Sequence, residues 1–268
     1  MIRNQQGDFS MLKAILLDLD GTVYRGSQVI KGVPQAITEM RNQGIKVFFI
    51  SNASMRTRKE QADKLRKMGI ECNVSEMYNT AYATASYIKH HHPRANVYVI
   101  SEGGLKKEIE MIGLKTTESE NADVVATGLD PDINFEKLVK AFRAIHNGAV
   151  FITSNADRIY PTDKGLLPGS GTIAAFLEYG TRKKPIVIGK PSPHLIEAVL
   201  EENNLRKNEV LIVGDNYETD LKAAKKLGIK CALVLSGITK KSEIDILPKG
   251  ARPDFILKSA AELPAILC

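Results

Sequence analysis

The chain has 268 residues, 43% hydrophobic and 25% charged, the make-up of a globular protein with a sizeable core. Its net charge is +6, but the lysines and arginines are scattered and no long basic tract is interleaved with aromatics. Nucleic-acid binding is therefore not expected, and a mild positive field suits small anionic substrates instead. Cys72, Cys231 and Cys268 lie far apart with no Cys-x-x-Cys pattern, which argues against a disulfide framework or a zinc site and for a reducing, cytoplasmic setting. The opening Met-Ile-Arg-Asn-Gln-Gln-Gly-Asp has no apolar signal core, and no apolar run is long enough to cross a membrane.

The first strong element is Ala14–Leu17, an apolar run that ends in Asp18 and Asp20, followed at once by Gly21 and Thr22. A short, continuous apolar run bounded by a turn signal suits a strand buried on both faces, as in a parallel sheet. Ligands bind outside the carboxyl ends of such strands. Two carboxylates so close together need a cation, or one must stay protonated, and a hard, oxygen-seeking ion such as Mg2+ answers that need. Taken alone, Asp-x-Asp-Gly also suits an ordinary polar turn.

Val33–Asn42 has helical spacing and stops at Gly44. Lys46–Ile50 reads as a second strand, with Ser51-Asn52-Ala53-Ser54 at its carboxyl end. Thr57 and Glu60 have capping-box spacing and start a helix that runs to about Gly69. The β-α-β-α order predicts a doubly wound parallel sheet.

From about Asn79 to Gly180 the alternation repeats on its own account. Helices are expected at Tyr82–His91, Leu105–Ile112, Phe135–Asn147 and Thr172–Tyr179, and strands at Asn96–Ile100, Asp123–Thr127 and Ala149–Thr153. Asn155–Gly171 reads as irregular, and Gly169–Thr172 as a tight turn, since the P-loop lysine pattern is missing. His90-His91-His92 reads as an exposed helix end before Pro93. Gly44–Ala53 resembles Gly148–Ala156, which suits either two α/β units built alike or coincidence.

The main alternation resumes with strand Pro185–Gly189, and Lys190 lies just beyond it. Ser192 and Pro193 open a helix to Asn203. Strand Glu209–Val213 leads into Gly214-Asp215-Asn216-Tyr217-Glu218-Thr219-Asp220 and a helix to Leu227. Strands Lys230–Leu235 and Asp254–Leu257 and a short helix Glu262–Leu267 close the chain.

Four strand ends thus carry polar groups: Asp18/Asp20, Ser51/Asn52, Lys190 and Asp215/Asp220. On one edge of a parallel sheet they form a phosphoryl-transfer site. Asp18 and Asp215 would hold Mg2+ by their carboxylates and Asp20 by its backbone carbonyl. Ser51 and the N–H of Asn52 would bind phosphate oxygens, and Lys190 would offset negative charge. Asp18 would be the nucleophile and Asp20 the acid and base. Each piece has a plainer reading: a solvated lysine, a turn, or charges helping a helix dipole. All four arising in this order is the harder coincidence.

These motifs, in the forms Asp-Leu-Asp-Gly-Thr-Val-Tyr-Arg-Gly, Ser-Asn-Ala-Ser, Gly-Lys-Pro-Ser-Pro and Gly-Asp-Asn-x-x-Thr-Asp, resemble the haloacid dehalogenase-like phosphatases, most of all the NagD-like, para-nitrophenyl phosphatase branch. The resemblance spans nearly the whole chain. It implies an α/β, Rossmann-like core at 1–79 and 181–268, an inserted α/β cap at 80–180, bound Mg2+ and a phosphoaspartyl intermediate. It implies supporting roles for Thr22, Asn216 and Asp220, and places Asn155, Asp157 and the loop Tyr160–Gly171 in the cap segment that faces substrate. Asn and Asp also often cap local turns. The implied substrate is a small phosphorylated metabolite: a sugar phosphate, phosphoglycolate, glycerol phosphate or nucleotide. A cap-mediated homodimer is compatible with it.

Other readings fit less well. A phosphate-binding receiver-like signalling module would lack the cap-sized insertion and Asp20. A dehalogenase would have no alcohol for Asp20 to protonate. A phosphomutase usually carries its cap between the first two motifs. A dinucleotide binder would show Gly-x-Gly-x-x-Gly after the first strand. A binding protein without catalysis would be expected to have lost one of Asp18, Asp20, Lys190 or Asp215.

Overall fold

The computed structural model describes residues 9–101, 103–162 and 165–267; Cys268 and the Met1–Asp8 segment lie outside them. In chain order the strands are β1 (Ala14–Asp18), β2 (Tyr24–Arg25), β3 (Gln28–Val29), β4 (Lys46–Ser51), β5 (Met77–Asn79), β6 (Asn96–Ile100), β7 (Lys115–Thr117) and β8 (Val124–Thr127). They continue with β9 (Val150–Thr153), β10 (Ile159–Thr162), β11 (Gly165–Pro168), β12 (Ile186–Val187), β13 (Val210–Gly214), β14 (Lys230–Val234) and β15 (Phe255–Leu257). The chain divides into two compact units. One lies within Met1–Ser51, Ala62–Met77 and Ile196–Cys268, the other within Asn52–Gln61 and Tyr78–Leu195.

The first unit is built on a six-stranded sheet of order β15-β14-β13-β1-β4-β5. The chain winds outward from β1 one way through β4 and β5, and the other way through β13, β14 and β15. This is the doubly wound order, and its switch point falls between β1 and β13. β1 is parallel to both neighbours. Ala14, Ile15, Leu16 and Leu17 have no exposed surface, as a strand covered on both faces requires. An apolar side chain so buried contributes about 1.5–3 kcal/mol. The helix Val33–Asn42 packs Val33, Ile37 and Met40 into the core formed by Ile15, Leu17, Val47, Phe49, Leu211 and Val213. It stops where Gly44 takes a positive φ of 82°.

The second unit carries a five-stranded sheet of order β12-β9-β8-β6-β7, parallel at every pairing. Its core joins Tyr98, Ile100, Val125 and Phe151 of the strands to Ala141 and Ile145 of helix Phe135–His146 and Ile173 and Leu177 of helix Ser170–Thr181. The Thr57–Glu60 capping box forms as expected, with Thr57 N–H donating to Glu60 Oε2 (2.8 Å) and Glu60 N–H to Thr57 Oγ1 (3.2 Å). His90 and His91 are exposed at the end of helix Thr80–His91. In both similar stretches a helix is followed by a glycine at positive φ (Gly44, Gly148) and a strand inside its own sheet (β4, β9).

Three expectations need correcting. The stretch 155–171 is not irregular: β10 and β11 form an antiparallel hairpin with Ile159 opposite Pro168 and Thr162 opposite Gly165. Its prolines and glycine read as loop punctuation, although they sit on an isolated two-stranded ribbon that tolerates them. The strand before Lys190 shortens to β12 and pairs with β9, not with the six-stranded sheet. An apolar run says that a strand is buried, not which sheet it joins. The short β2, β3, β5 and β7 were also unforeseen, being two or three residues each.

Candidate active site

The carboxyl end of β1 delivers Asp18. Register sets it opposite Ile50, one residue short of Ser51, while Leu17 lies opposite Val213, two residues short of Asp215. Beyond Asp18 the chain reverses tightly: the Leu19 carbonyl accepts from the N–H groups of Thr22 (3.2 Å), Val23 (2.8 Å) and Tyr24 (3.1 Å). Gly21 makes the reversal feasible with a φ of 81°. Asp20, on this turn, is exposed. Thr22 is fully buried, and its hydroxyl has no hydrogen-bond partner among the described residues.

At the end of β13, Asp215 is 5% exposed and lies in a backbone cradle. A Cβ on Gly21 would stand 2.4 Å from Asp215 Oδ2, and one on Gly237 only 1.8 Å from it. Ile238 N–H donates to the same oxygen (2.8 Å), and Thr239 N–H to the Asp215 carbonyl (3.2 Å). Ser236 Oγ ties this loop to the Gly21 carbonyl (2.6 Å). After Asn216, whose side chain accepts from Glu218 N–H (2.9 Å), residues Tyr217–Leu221 make a π-helical turn before helix Lys222–Leu227. Such turns recur at functional sites because they re-aim a side chain within a helix. Here the turn returns Asp220 to the strand end. Asp220 is 1% exposed, accepts from Asn216 N–H (3.2 Å), and packs where a Cβ on Gly214 would stand 2.3 Å from its Cγ.

Asp18, Asp215 and Asp220 each bring a carboxylate oxygen within 4.8 Å of the others, the one such group of three among the described residues. Three carboxylates that close, two of them buried, repel one another strongly unless a cation sits among them. The donors are all hard oxygens, and those of Asp215 and Asp220 are held by backbone N–H groups and by glycines that leave no room for a Cβ. They fit Mg2+.

Ser51 ends β4 in the first unit; Asn52, Asn155, Asp157 and Lys190 lie in the second. Asn52 Oδ1 accepts from Lys190 N–H (2.9 Å), and Asn52 Nδ2 donates to the Lys190 carbonyl (2.9 Å) and to Asp157 Oδ1 and Oδ2 (3.2 and 3.3 Å). Asn155 is 4% exposed. Its Nδ2 donates to the Asn52 carbonyl (2.7 Å), and its Oδ1 accepts from Asp157 N–H (3.0 Å) and from Ser170 Oγ. Thr80 Oγ1 also donates to the Asn52 carbonyl (2.7 Å). Lys190 is 2% exposed, which removes the reading of a solvated lysine.

Some of this eluded the sequence. Asp220, expected in a supporting role, stands in the carboxylate cluster itself. Gly237 and Ile238, which hold Asp215, come from a loop with no motif beyond one glycine. Asn155 has spent three of its four hydrogen bonds within the protein, so its amide has little left for a ligand.

Residues 15–115 match the family of haloacid dehalogenase-like hydrolases, and residues 187–263 match a HAD-hydrolase-like family. An acid sugar phosphatase of Staphylococcus saprophyticus is 37% identical over 251 residues, covering 94% of this chain and 96% of its own. A 5'-nucleotidase, YutF, of Bacillus subtilis is 39% identical over 232 residues, covering 87% and 90%. The solved p-nitrophenyl phosphatase of Archaeoglobus fulgidus superposes with a TM-score of 0.89 at 32% identity, covering 94% of this chain and 98% of that one. The chain belongs to the haloacid dehalogenase-like hydrolases. Within them it falls in the NagD-like, p-nitrophenyl phosphatase branch, and it is a phosphoric monoester hydrolase.

Proposed function

We propose that the protein hydrolyses small phosphomonoesters with Mg2+ through a phosphoaspartyl intermediate on Asp18. The observation that carries this reading is the meeting of the Asp18, Asp215 and Asp220 carboxylates at the switch point of a doubly wound sheet. The Asp18 and Asp215 carboxylates and the Asp20 carbonyl, with Asp220 beside them, would hold Mg2+, which when bound would supply charge neutralisation to the phosphoryl group.

In the first step an Asp18 carboxylate oxygen attacks phosphorus in line. The new O–P bond forms as the ester O–P bond breaks, and Asp20 gives its proton to the departing alcohol. In the second step water attacks the same phosphorus, Asp20 takes a proton from it, and inorganic phosphate leaves with Asp18 restored. Asp20 is suited to this shuttle because its turn leaves it exposed. Ser51 and the Asn52 N–H are assigned to phosphate oxygens, Lys190 to charge neutralisation, and Asp157 to the substrate side of the inserted cap at 80–180. Thr22, Asn216 and Asp220 support the turns that carry Asp20 and Asp215.

The relatives' names supply the substrate range: sugar phosphates and nucleoside monophosphates, with para-nitrophenyl phosphate as an artificial substrate. Phosphoglycolate and glycerol phosphate belong to the same class. The receiver-like alternative is not favoured, since the matched relatives are named for hydrolysis. A cytoplasmic setting is part of the proposal, supported by the buried free thiols Cys72 and Cys231. So is a homodimer joined through the cap, which sedimentation would test. Among the described residues no helix is long and apolar enough to cross a membrane.

The test is hydrolysis of para-nitrophenyl phosphate with Mg2+ and with EDTA, followed by a panel of sugar phosphates and nucleoside monophosphates. Turnover that requires the metal and favours one panel class supports the reading. Metal-independent turnover contradicts it.

A further inference from the structure

Asn52 has a side chain almost wholly committed to other residues. One face of its amide closes a two-point clamp on the backbone of Lys190, accepting from the N–H and donating to the carbonyl, both at 2.9 Å. The second amide hydrogen is shared between the two carboxylate oxygens of Asp157. The backbone carbonyl of the same residue accepts from Asn155 and Thr80. Gly189 makes the clamp feasible: a Cβ there would stand 2.7 Å from Asn52 Oδ1. An amide that pairs with both backbone groups of one residue acts like a strand partner and fixes that residue's position and direction together. Lys190 lies three residues beyond the end of β12; Ile188 and Gly189 still donate to the Thr153 and Ser154 carbonyls (3.0 and 2.7 Å), and the Asn52 side chain carries this backbone pairing on to Lys190 itself.

We propose that Asn52 is a positioning residue that acts through Lys190. Its side chain sets where the Lys190 ammonium stands, and through Asp157 it ties that placement to the 155–171 segment. The side chain's contribution to turnover is therefore made through the lysine, separately from the phosphate contact assigned to the Asn52 N–H. The inference rests on the assignment of Lys190 to phosphoryl charge neutralisation. Misplacing a catalytic group by an ångström can cost about 100-fold in rate. Residues that work as one unit give non-additive losses.

The experiment is a double-mutant cycle on kcat/KM for para-nitrophenyl phosphate with Mg2+, using Asn52→Ala, Lys190→Met and the pair. Asn52→Ala is expected to lose about 10- to 100-fold when Lys190 is present, and less than about 2-fold once it is replaced. Losses that multiply in the double variant overturn the inference. Should Asn52→Ala fail to fold, Asn52→Asp takes its place: it keeps the acceptor for Lys190 N–H but loses both donors and sets a carboxylate against Asp157. Adding Asp157→Asn removes that repulsion and is expected to restore part of the loss; no restoration counts against the Asp157 arm. Asp18→Asn runs alongside. If it stays fully active, the phosphatase mechanism itself fails. If it is inactive while the cycle is additive, only the role given to Asn52 fails.

Discussion

Gly237→Ala is the sharpest perturbation of the carboxylate cluster, because it adds one methyl group and touches no charge. The new Cβ would stand 1.8 Å from Asp215 Oδ2, 2.2 Å from Cγ and 2.3 Å from Cβ, where ordinary contact begins at 3.4 Å. Turning the carboxylate cannot relieve this, since Asp215 Cβ is itself within the clash. Either the 236–239 loop or the Asp215 side chain must move by more than an ångström. Moving the loop sacrifices the Ile238 N–H bond to Oδ2 and the Ser236 bond to Gly21. Overpacking of this kind costs about 1–3 kcal/mol of stability, and the displaced carboxylate is expected to cost about 100-fold in kcat/KM. Calorimetric Mg2+ titration and para-nitrophenyl phosphate turnover read the two effects separately. A Gly237→Ala protein with wild-type Mg2+ affinity and turnover would refute the assignment of Asp215 to the metal.

Asp220→Asn keeps the shape and an acceptor for Asn216 N–H but removes one charge from the cluster, so half-saturation by Mg2+ is expected to rise about 10-fold or more in a titration, with the fold intact. Glu209, buried between Lys13 (2.8 Å) and Arg206 (2.7 Å), has its carboxyl drawn down to about 2 by hydrogen bonds from Arg206 and Lys13. Its folded value lies below its ordinary 4.5, so its stabilisation is complete above about pH 5 and is lost as pH falls from there toward 2. The gap in Tm between wild type and Glu209→Gln should accordingly close over that range; a gap that does not vary with pH would contradict this. Burial pushes the Cys72 and Cys231 thiols up to about 12. In a Cys268→Ser background neither should react with a thiol reagent at neutral pH until the protein is unfolded, and prompt labelling of the native protein would count against their burial.

Much of the site could be read from the chain because it lies where local signals are strongest. Ala14–Leu17 is apolar without interruption, so its burial on both faces and the position of Asp18 at its end follow from the residues alone. Asp215 follows from Val210–Val213 in the same way. What could not be read depends on contacts between distant segments. β12 pairs with β9 through a register that no property of Pro185–Gly189 encodes. Gly237 approaches Asp215 across 22 residues of sequence, and a lone glycine in a loop gives no hint of that. Asp220 read as a supporting member of the site or as a helix-end charge, because the π turn that brings its carboxylate up to Asp18 has no sequence signature. Asn155 read as a ligand contact because an Asn in a loop is equally suited to binding and to tying down backbone, and only its partners distinguish the two.

The most direct test of the central claim is to find the phosphoryl group on the protein. The enzyme would be mixed with para-nitrophenyl phosphate and Mg2+, quenched in acid within the first turnover, digested and mapped by mass spectrometry. A phosphorylated peptide carrying Asp18 in the wild type, absent from Asp18→Asn together with turnover, is the predicted result. Phosphate on another residue, or undiminished turnover by Asp18→Asn, would contradict Asp18 as the nucleophile.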